Sequence, residues 1–402
     1  MKKASLTFIF ITIAIDMIGI GIIIPTLPDI MRRFSSDPSD VSQFFGLFIS
    51  AYAFMQFLAS PLLGALSDLF GRRPILLNSL LIAAIDYLFM AFAPTLPLLF
   101  VGRVLAGMTG ASMTVAMAYI ADISTAENRS TNFGMIGAAF GVGFIIGPAI
   151  GGLIGHWGPQ YPFIVAAILN LVNFLFGLFI LPESLPIEKR RQFSFNQLNP
   201  FKSIKKILLL QGLFPLFAAL FFFVLAGQTH PSIWTLYTEY RFQWTPQQVG
   251  TSLAIIGIAS AIAQGFLTRI IIPRWKEYKT VVICAIAQFF GFIAWGSVTQ
   301  GWMMFVILVL TFWSWVFGPA LQSLISSQAP NGEQGELQGS VVSIQSLAAI
   351  LNPIITTQLF SRFTNLENTW QIPGAPYYFA AVMCLVGLII ILKNKKTMNN
   401  PS

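Results

Sequence analysis

The sequence predicts an all-α polytopic membrane protein with 12 spans in two six-helix halves. Three observations lead there. Of 402 residues, 55% are apolar and 9% charged, against about 25% charged in an ordinary soluble domain. Twelve apolar runs reach the length of about 20 residues that a bilayer-crossing helix needs. The basic residues sort onto one set of loops. That set holds 18 of the 23 Lys and Arg, the opposite set holds Arg32, Arg33, Arg241 and Arg362, and Arg103 falls inside a span. The positive-inside rule makes the rich set cytoplasmic, with both termini. The expected location is the inner (cytoplasmic) membrane.

The same numbers exclude other classes. Two cysteines make neither a disulfide scaffold nor a Cys-rich metal protein. No C-x-x-C, H-E-x-x-H or phosphate-cradling glycine loop occurs, so the chain is not read as an enzyme and is given no metal site or cofactor. The net charge of +8 is absorbed by membrane topology, not by nucleic acid. Strand-like alternation is missing from runs such as residues 18–24, which excludes a barrel. The first run follows Lys2 and Lys3 but is long for a signal peptide and contains Asp16, so it reads as a retained first span.

Taken in order, the first six spans cover 6–26, 43–64, 75–94, 98–120, 132–155 and 163–182, which makes 1–182 the first half. Span 1 carries Asp16 and span 3 carries Asp86, each near mid-membrane. An Asp at that depth costs about 2.5–3.5 kcal/mol to insert and is a functional residue by default. Such a carboxyl, set between burial and the charge of Arg103 in span 4, can load and release a proton, or hold a cationic or metal-chelated substrate. Arg103 is itself either functional or reaches outward along its alkyl stem. Between spans 2 and 3 the chain reads Gly64-Ala-Leu-Ser-Asp68-Leu-Phe-Gly71-Arg72-Arg73-Pro74. Gly71 permits a tight turn there. Span 5 carries Gly143, Gly147, Pro148, Gly151 and Gly152, small residues that let helices approach closely, with a proline that can kink the span. Close packing and a hinge are both open readings.

Residues 183–207 form a cytoplasmic linker with six Lys or Arg, and 208–402 form the second half with a short basic tail. Its spans cover 208–229, 248–271, 280–297, 302–325, 337–361 and 377–392. No Asp or Glu falls inside these limits. His156 and His230 read as solvated residues near the outer surface, and Cys284 and Cys384 as apolar filler. Pro148 follows Glu127 by 21 residues and Pro353 follows Glu333 by 20, an echo of the kind a parallel repeat leaves. The substrate site then belongs at mid-membrane between the halves.

The loop between spans 2 and 3 is the G-x-x-x-D-x-x-G-R-R signature of the major facilitator superfamily, and the Gly147-Pro148-x-x-Gly151-Gly152 ending resembles the antiporter motif of its drug exporters. The chain as a whole resembles the tetracycline/proton antiporters, strongest over residues 1–184: Ser60–Pro74, Asp86-Tyr87, Gly107–Ala111, Ala118–Asp122 and Leu181–Ser184 carry it, with Arg241–Trp244 and Gln334–Ser340 in the second half. The resemblance implies the major facilitator fold and export of a tetracycline–divalent-metal complex against protons. By position it implies that Asp16, Gln56, Asp86 and Arg103 form the polar site and coupling residues, joined by Gln264 from span 8. It also implies that Asp68 faces the start of span 11 and a basic residue of the 4–5 loop, here Arg129, as a cytoplasmic gate with Gly71, Arg72 and Arg73. The family's acid in span 9 aligns with Gln288, and its span 8 His with Ser260. A glutamine hydrogen-bonds but carries no proton charge, so coupling is expected to run through Asp16 and Asp86.

The expected function is therefore proton-driven export of amphiphilic, tetracycline-like drugs by alternating access. The expected partners are a small-molecule substrate, which brings any divalent metal with it, and the lipid bilayer, with no nucleic acid and the protein a monomer. The alternative keeps the fold and makes the chain an importer or facilitator of a small nutrient.

Overall fold

Apolar helices account for the architecture, and lipid explains why: with no water in the bilayer core, each backbone N–H and C=O must be satisfied within its own helix. The computed structural model describes residues 3–125, 129–190, 214–327, 334–365 and 371–394. Among these, 12 helices are long and apolar enough to cross a membrane. They are α1 (Leu6–Arg32), α2 (Pro38–Phe70), α3 (Arg72–Ala91), α4 (Leu96–Ile123), α5 (Arg129–Gly155), α6 (Tyr161–Ile180), α7 (Phe214–Phe242), α8 (Pro246–Trp275), α9 (Glu277–Ser297), α10 (Gly301–Ser326), α11 (Gln334–Thr364) and α12 (Ala375–Lys393). Large apolar side chains such as Ile85, Phe179 and Val309 point outward, as a lipid-facing surface requires.

The packing repeats between the halves. In the first, α1 lies against α5 and α6, and α3 against α6; in the second, α7 lies against α11 and α12, and α9 against α12. The corresponding helices are also broken in corresponding places. α1 passes through a 3-10 turn at Ile24–Thr26, where Pro25 and Pro28 remove backbone donors. α7 breaks between Gly227 and Thr229. α4 breaks after Gly110, and α10 tightens to 3-10 over Phe312–Val316. α8 adds a π-helical stretch at Ile262–Leu267. Discontinuous helices of this kind expose backbone groups where a protein lines a site.

Two expectations are corrected. The sequence reading ends the seventh span at residue 229, but α7 continues to Phe242. Its second part buries Trp234, Tyr237 and Thr238, so packing continues the helix past that limit. Glu239 therefore does lie inside a second-half span, 8% exposed. His230 is no solvated surface residue either. Its ring packs edge-on to Trp295 at 3.6 Å between centroids, with Phe292, Tyr377 and Trp234 within 6 Å.

By packing, the chain forms two compact units: Met1–Ser36, Ala51–Asn199 and Trp244–Gly257 in one, Asp37–Ser50, Pro200–Gln243 and Ile258–Ser402 in the other. Both α2 and α8 thus divide between units. In the second unit, the first turns of α2 lie on α11, where Ser42 Oγ donates to Thr357 O at 3.0 Å and Ser50 Oγ to Ile350 O at 2.8 Å. Gly46 sits between them, and a methyl there would overlap Thr357 Oγ1. In the first unit, the first turns of α8 lie on α5, with Gly250 against Pro148 and Gly152.

Candidate functional site

Asp16 of α1, Tyr52 of α2, Asp86 and Tyr87 of α3, and Thr109 and Gly110 of α4 line one small cavity in the first unit, about 10 Å³, the lower edge of what one water fills. Asp86 is 3% exposed and Arg103 7%. Asp86 Oδ1 accepts no hydrogen bond from any described residue, a costly condition for a buried oxygen. The Arg103 guanidinium lies over the Tyr52 ring, 4.3 Å from its centroid, and its charge reaches Asp86 and Tyr87. Helix α4 makes this possible: Gly102 lets Asp86 and Met90 approach, and Gly107 and Gly110 let Tyr52 lie on the helix backbone.

Gln56 does not line the cavity wall. Its Nε2 donates to Gly110 O at 3.1 Å, the carbonyl beside the break in α4. Gln288 repeats the device in the second unit, donating to Ser314 O at 3.1 Å within the 3-10 stretch of α10. Gln264 lies in the π-helical stretch of α8 and donates to Ser260 Oγ at 2.7 Å.

Of the predicted gate residues, Asp68, Gly71, Arg72 and Arg73 lie together at the junction of α2 and α3. Gly71 takes φ +105°, a conformation that L side chains resist. Arg72 pairs with Asp68 at 2.7 Å and, from Nε, with Asp122 at 3.1 Å. It also donates to Ser67 Oγ at 2.5 Å. The Glu183 carboxylate, just past α6, accepts from the amides of Arg72 and Arg73 at 2.9 and 3.3 Å and of Ser184 and Leu185 at 2.9 and 3.0 Å. It is an anion on the positive end of α3. Arg73 reaches Leu178 O at 2.7 Å. The Arg129 side chain, residues 191–207 of the linker and Glu333 lie outside the described residues.

Helix α5 uses its glycines on two faces. Gly143, Gly147 and Gly151 lie on Met17, Gly21 and Ile22 of α1, and Gly152 lies on α8 beside Gly250. Pro148 is within the helix and touches Gly21.

Sequence reasoning assigned no role to Tyr52, Tyr87, Asp122 or Glu183. Some signal was there: Tyr52 precedes Gln56 by one helical turn and Tyr87 adjoins Asp86.

A model of the Major Facilitator Superfamily matches residues 9–353. Tetracycline resistance protein, class C, of Escherichia coli is 39% identical over 388 residues, covering 96% of both chains. Class B, also of Escherichia coli, is 35% identical over 385 residues and 95% of both chains. Multidrug resistance protein 2 of Bacillus subtilis (strain 168) is 29% identical over 409 residues, 99% of this chain and 97% of the other. Among solved structures, a D-xylose-proton symporter has the same fold with a TM-score of 0.75 at 18% identity, covering 97% of each chain. The human organic anion transporter MFSD10 gives 0.70 at 22% identity, over 97% of this chain and 99% of that one.

Proposed function

The chain belongs to the major facilitator superfamily, and we propose that it exports tetracycline-like amphiphilic drugs in exchange for protons by alternating access. The substrate class comes from the names of relatives aligned over 95% and more of both chains. The observation that carries proton coupling is the first-unit cavity, where Asp16 and Asp86 share the lining and Arg103 lies within reach of Asp86. Two carboxyls in so dry a place exchange protons with whichever side reaches them, and the proton state sets how firmly a cationic or metal-chelated drug is held. Protonation from outside releases the drug, and deprotonation toward the cytoplasm resets the site. The knot of Asp68, Arg72, Asp122 and Glu183 acts as the cytoplasmic gate in this reading. The glycine faces of α5 let the helices shift against each other without losing contact. Both termini lie in the cytoplasm, the membrane is the inner one, the working unit is a monomer, and no resident cofactor takes part.

Tetracycline uptake into inside-out vesicles, with an imposed proton gradient and with a protonophore, tests it. Gradient-dependent uptake that the protonophore abolishes is the expected result; no uptake with the protein present in the membrane overturns it. A second reading, facilitated movement of a nutrient, draws on Gln288: its amide is committed to Ser314 O, and it does not titrate. Vesicle uptake of a nutrient without proton movement would favour that reading.

A further inference from the structure

Helices α1 and α6 meet along one line of contacts in the first unit. On α1, Phe8, Thr12, Asp16 and Gly19 recur at the spacing that puts them on one face, and on α6 so do Asn170, Asn173 and Gly177. The two faces meet in three layers. A methyl at Gly19 would stand 3.0 Å from Asn170 Nδ2, Asn173 Nδ2 donates to Thr12 O at 3.1 Å, and a methyl at Gly177 would stand 3.0 Å from the Phe8 ring. Asp16 falls between the first two layers by helical position, and it also lines the cavity with Asp86 and Tyr87.

The first two layers are polar and incompletely paired. Thr12 is 4% exposed, and Asn170 and Asn173 0%. Thr12 Oγ1, Asn170 Oδ1 and Asn173 Oδ1 have no hydrogen-bond partner among the described residues. The amide hydrogens are committed elsewhere: those of Asn173 to Thr12 O, and those of Asn170 to Ala166 O of its own helix at 3.0 Å. Two of the three oxygens only accept, and the hydroxyl both gives and accepts. Such a set calls for a small donor, and water is one: a buried water makes about three such bonds. The third layer is apolar. The Phe8 and Phe176 rings pack at 5.0 Å between centroids, and Leu77 closes on Gly177. Helix α1 begins at Leu6 and α6 ends at Ile180, so this layer lies within about one turn of both helix ends.

We propose that the α1–α6 seam is the route by which Asp16 exchanges its proton with the cytoplasm: waters held by Asn170, Asn173 and Thr12 relay the proton, and the Phe8–Phe176 layer seals the route. The inference deepens the proton-coupled reading and rests on it, including its orientation in the membrane. In the relay a water takes the proton of the Asp16 carboxyl and passes one of its own to the next water or to Thr12 Oγ1, which gives up its proton in turn. The carboxylate stays behind on Asp16. The asparagines hold the waters and carry no proton. The titratable groups facing Asp16 in the cavity are Tyr52 of α2 and Asp86 and Tyr87 of α3; the charge of Arg103 reaches Asp86 and Tyr87. Tyr119 of α4 packs on the apolar side of α1 and gives its hydroxyl to Pro182 O. Asp16 is thus the carboxyl on the seam face of α1.

The test reads that exchange directly. Infrared spectra of the purified full chain in lipid nanodiscs report the protonated carboxyl, and the band missing in Asp16→Asn is that of Asp16. At a pH where the band is present, its shift after transfer to heavy water gives the exchange rate. Thr12→Val keeps the side-chain shape and removes the hydroxyl. It and Asn173→Leu are expected to slow the exchange by about tenfold or more, and Thr12→Ser to keep the wild-type rate. Phe176→Ala opens the seal and is expected to speed the exchange by a similar factor. In liposomes under a potassium diffusion potential it is also expected to admit protons that the wild type holds back, and adding Thr12→Val is expected to abolish that leak. If Asn173→Leu fails to fold, the Val and Ser variants of Thr12 decide. A wild-type rate in Thr12→Val, or a Ser variant as slow as Val, would overturn the inference. So would a Phe176→Ala chain that is neither faster nor leaky, a leak that survives Thr12→Val, or a wild-type protein without an Asp16 band at any pH. Wild-type vesicles that take up no tetracycline would sink the transport reading, while the exchange rates still decide the route.

Discussion

Gln288 donates its side-chain amide to the backbone carbonyl of Ser314 at 3.1 Å, a second donor to an oxygen that also accepts from the Phe317 N–H at the end of the 3-10 stretch of α10. A glutamine does this at any pH, because its amide always has hydrogens to give; a carboxylate has none. Gln56 serves Gly110 the same way in α4. The two broken helices, one in each half, are thus held by the same chemistry.

Replacing Gln288 by Leu removes one of two donors to the Ser314 carbonyl and should cost about 0.5–1.5 kcal/mol. Gln288→Glu should differ in kind. Its protonated form can still donate and its ionised form cannot, so the variant should gain thermal stability as pH falls, relative to wild type. Unfolding curves in detergent across a pH series check both statements. A Glu variant that follows the wild-type pH dependence would show that the contact contributes little.

Glu183 collects four backbone amides, two of them at the start of α3. Glu183→Ala should destabilise the chain by about 1–2 kcal/mol, as removal of a charged cap does. Asp68→Asn weakens an ion pair whose aspartate side chain is 30% exposed, and should cost under about 1 kcal/mol. Chemical unfolding of both variants gives the order.

Helix α5 contains its own control. A methyl at Gly147 would stand 2.9 Å from Gly21 Cα, and one at Gly151 would overlap Ile22 O, whereas Gly137 and Gly141 have nothing within 4 Å. Gly147→Val and Gly151→Val should abolish transport or folding, with Gly137→Ala and Gly141→Ala near wild type. Membrane expression and vesicle uptake separate the two pairs.

Asp16→Asn and Asp86→Asn remove the charges at the cavity but keep the shape. Each should lose gradient-driven accumulation by at least about tenfold, the scale of 1.4 kcal/mol of coupling, while counterflow exchange of drug persists. Accumulation against a gradient by the double variant would show that protons travel elsewhere.

The order in which features became legible has a physical basis. Span count is written in hydropathy, because lipid imposes a length on every helix. Asp16, Asp86 and Arg103 stand out since a charge in that setting is expensive. Glu239 and His230 were misread for one reason: by sequence the seventh span ends at residue 229, and only burial of Tyr237 and Trp234 shows the helix continuing past it. Tyr52 carries no charge and resembles ordinary apolar lining in sequence.

The sequence by itself determined the solvent, the twelve helices, the family signature between α2 and α3, and the unusual charges Asp16, Asp86 and Arg103 within apolar spans. Each is a property of one segment and its medium. Tertiary structure decided the partners: that Arg103 faces the Tyr52 ring, that Glu183 caps α3, that Gln56 and Gln288 hold the broken helices α4 and α10. These depend on helix rotation and on where backbone gaps open, which are set only when glycine faces such as those of α4 and α5 bring helices to contact distance.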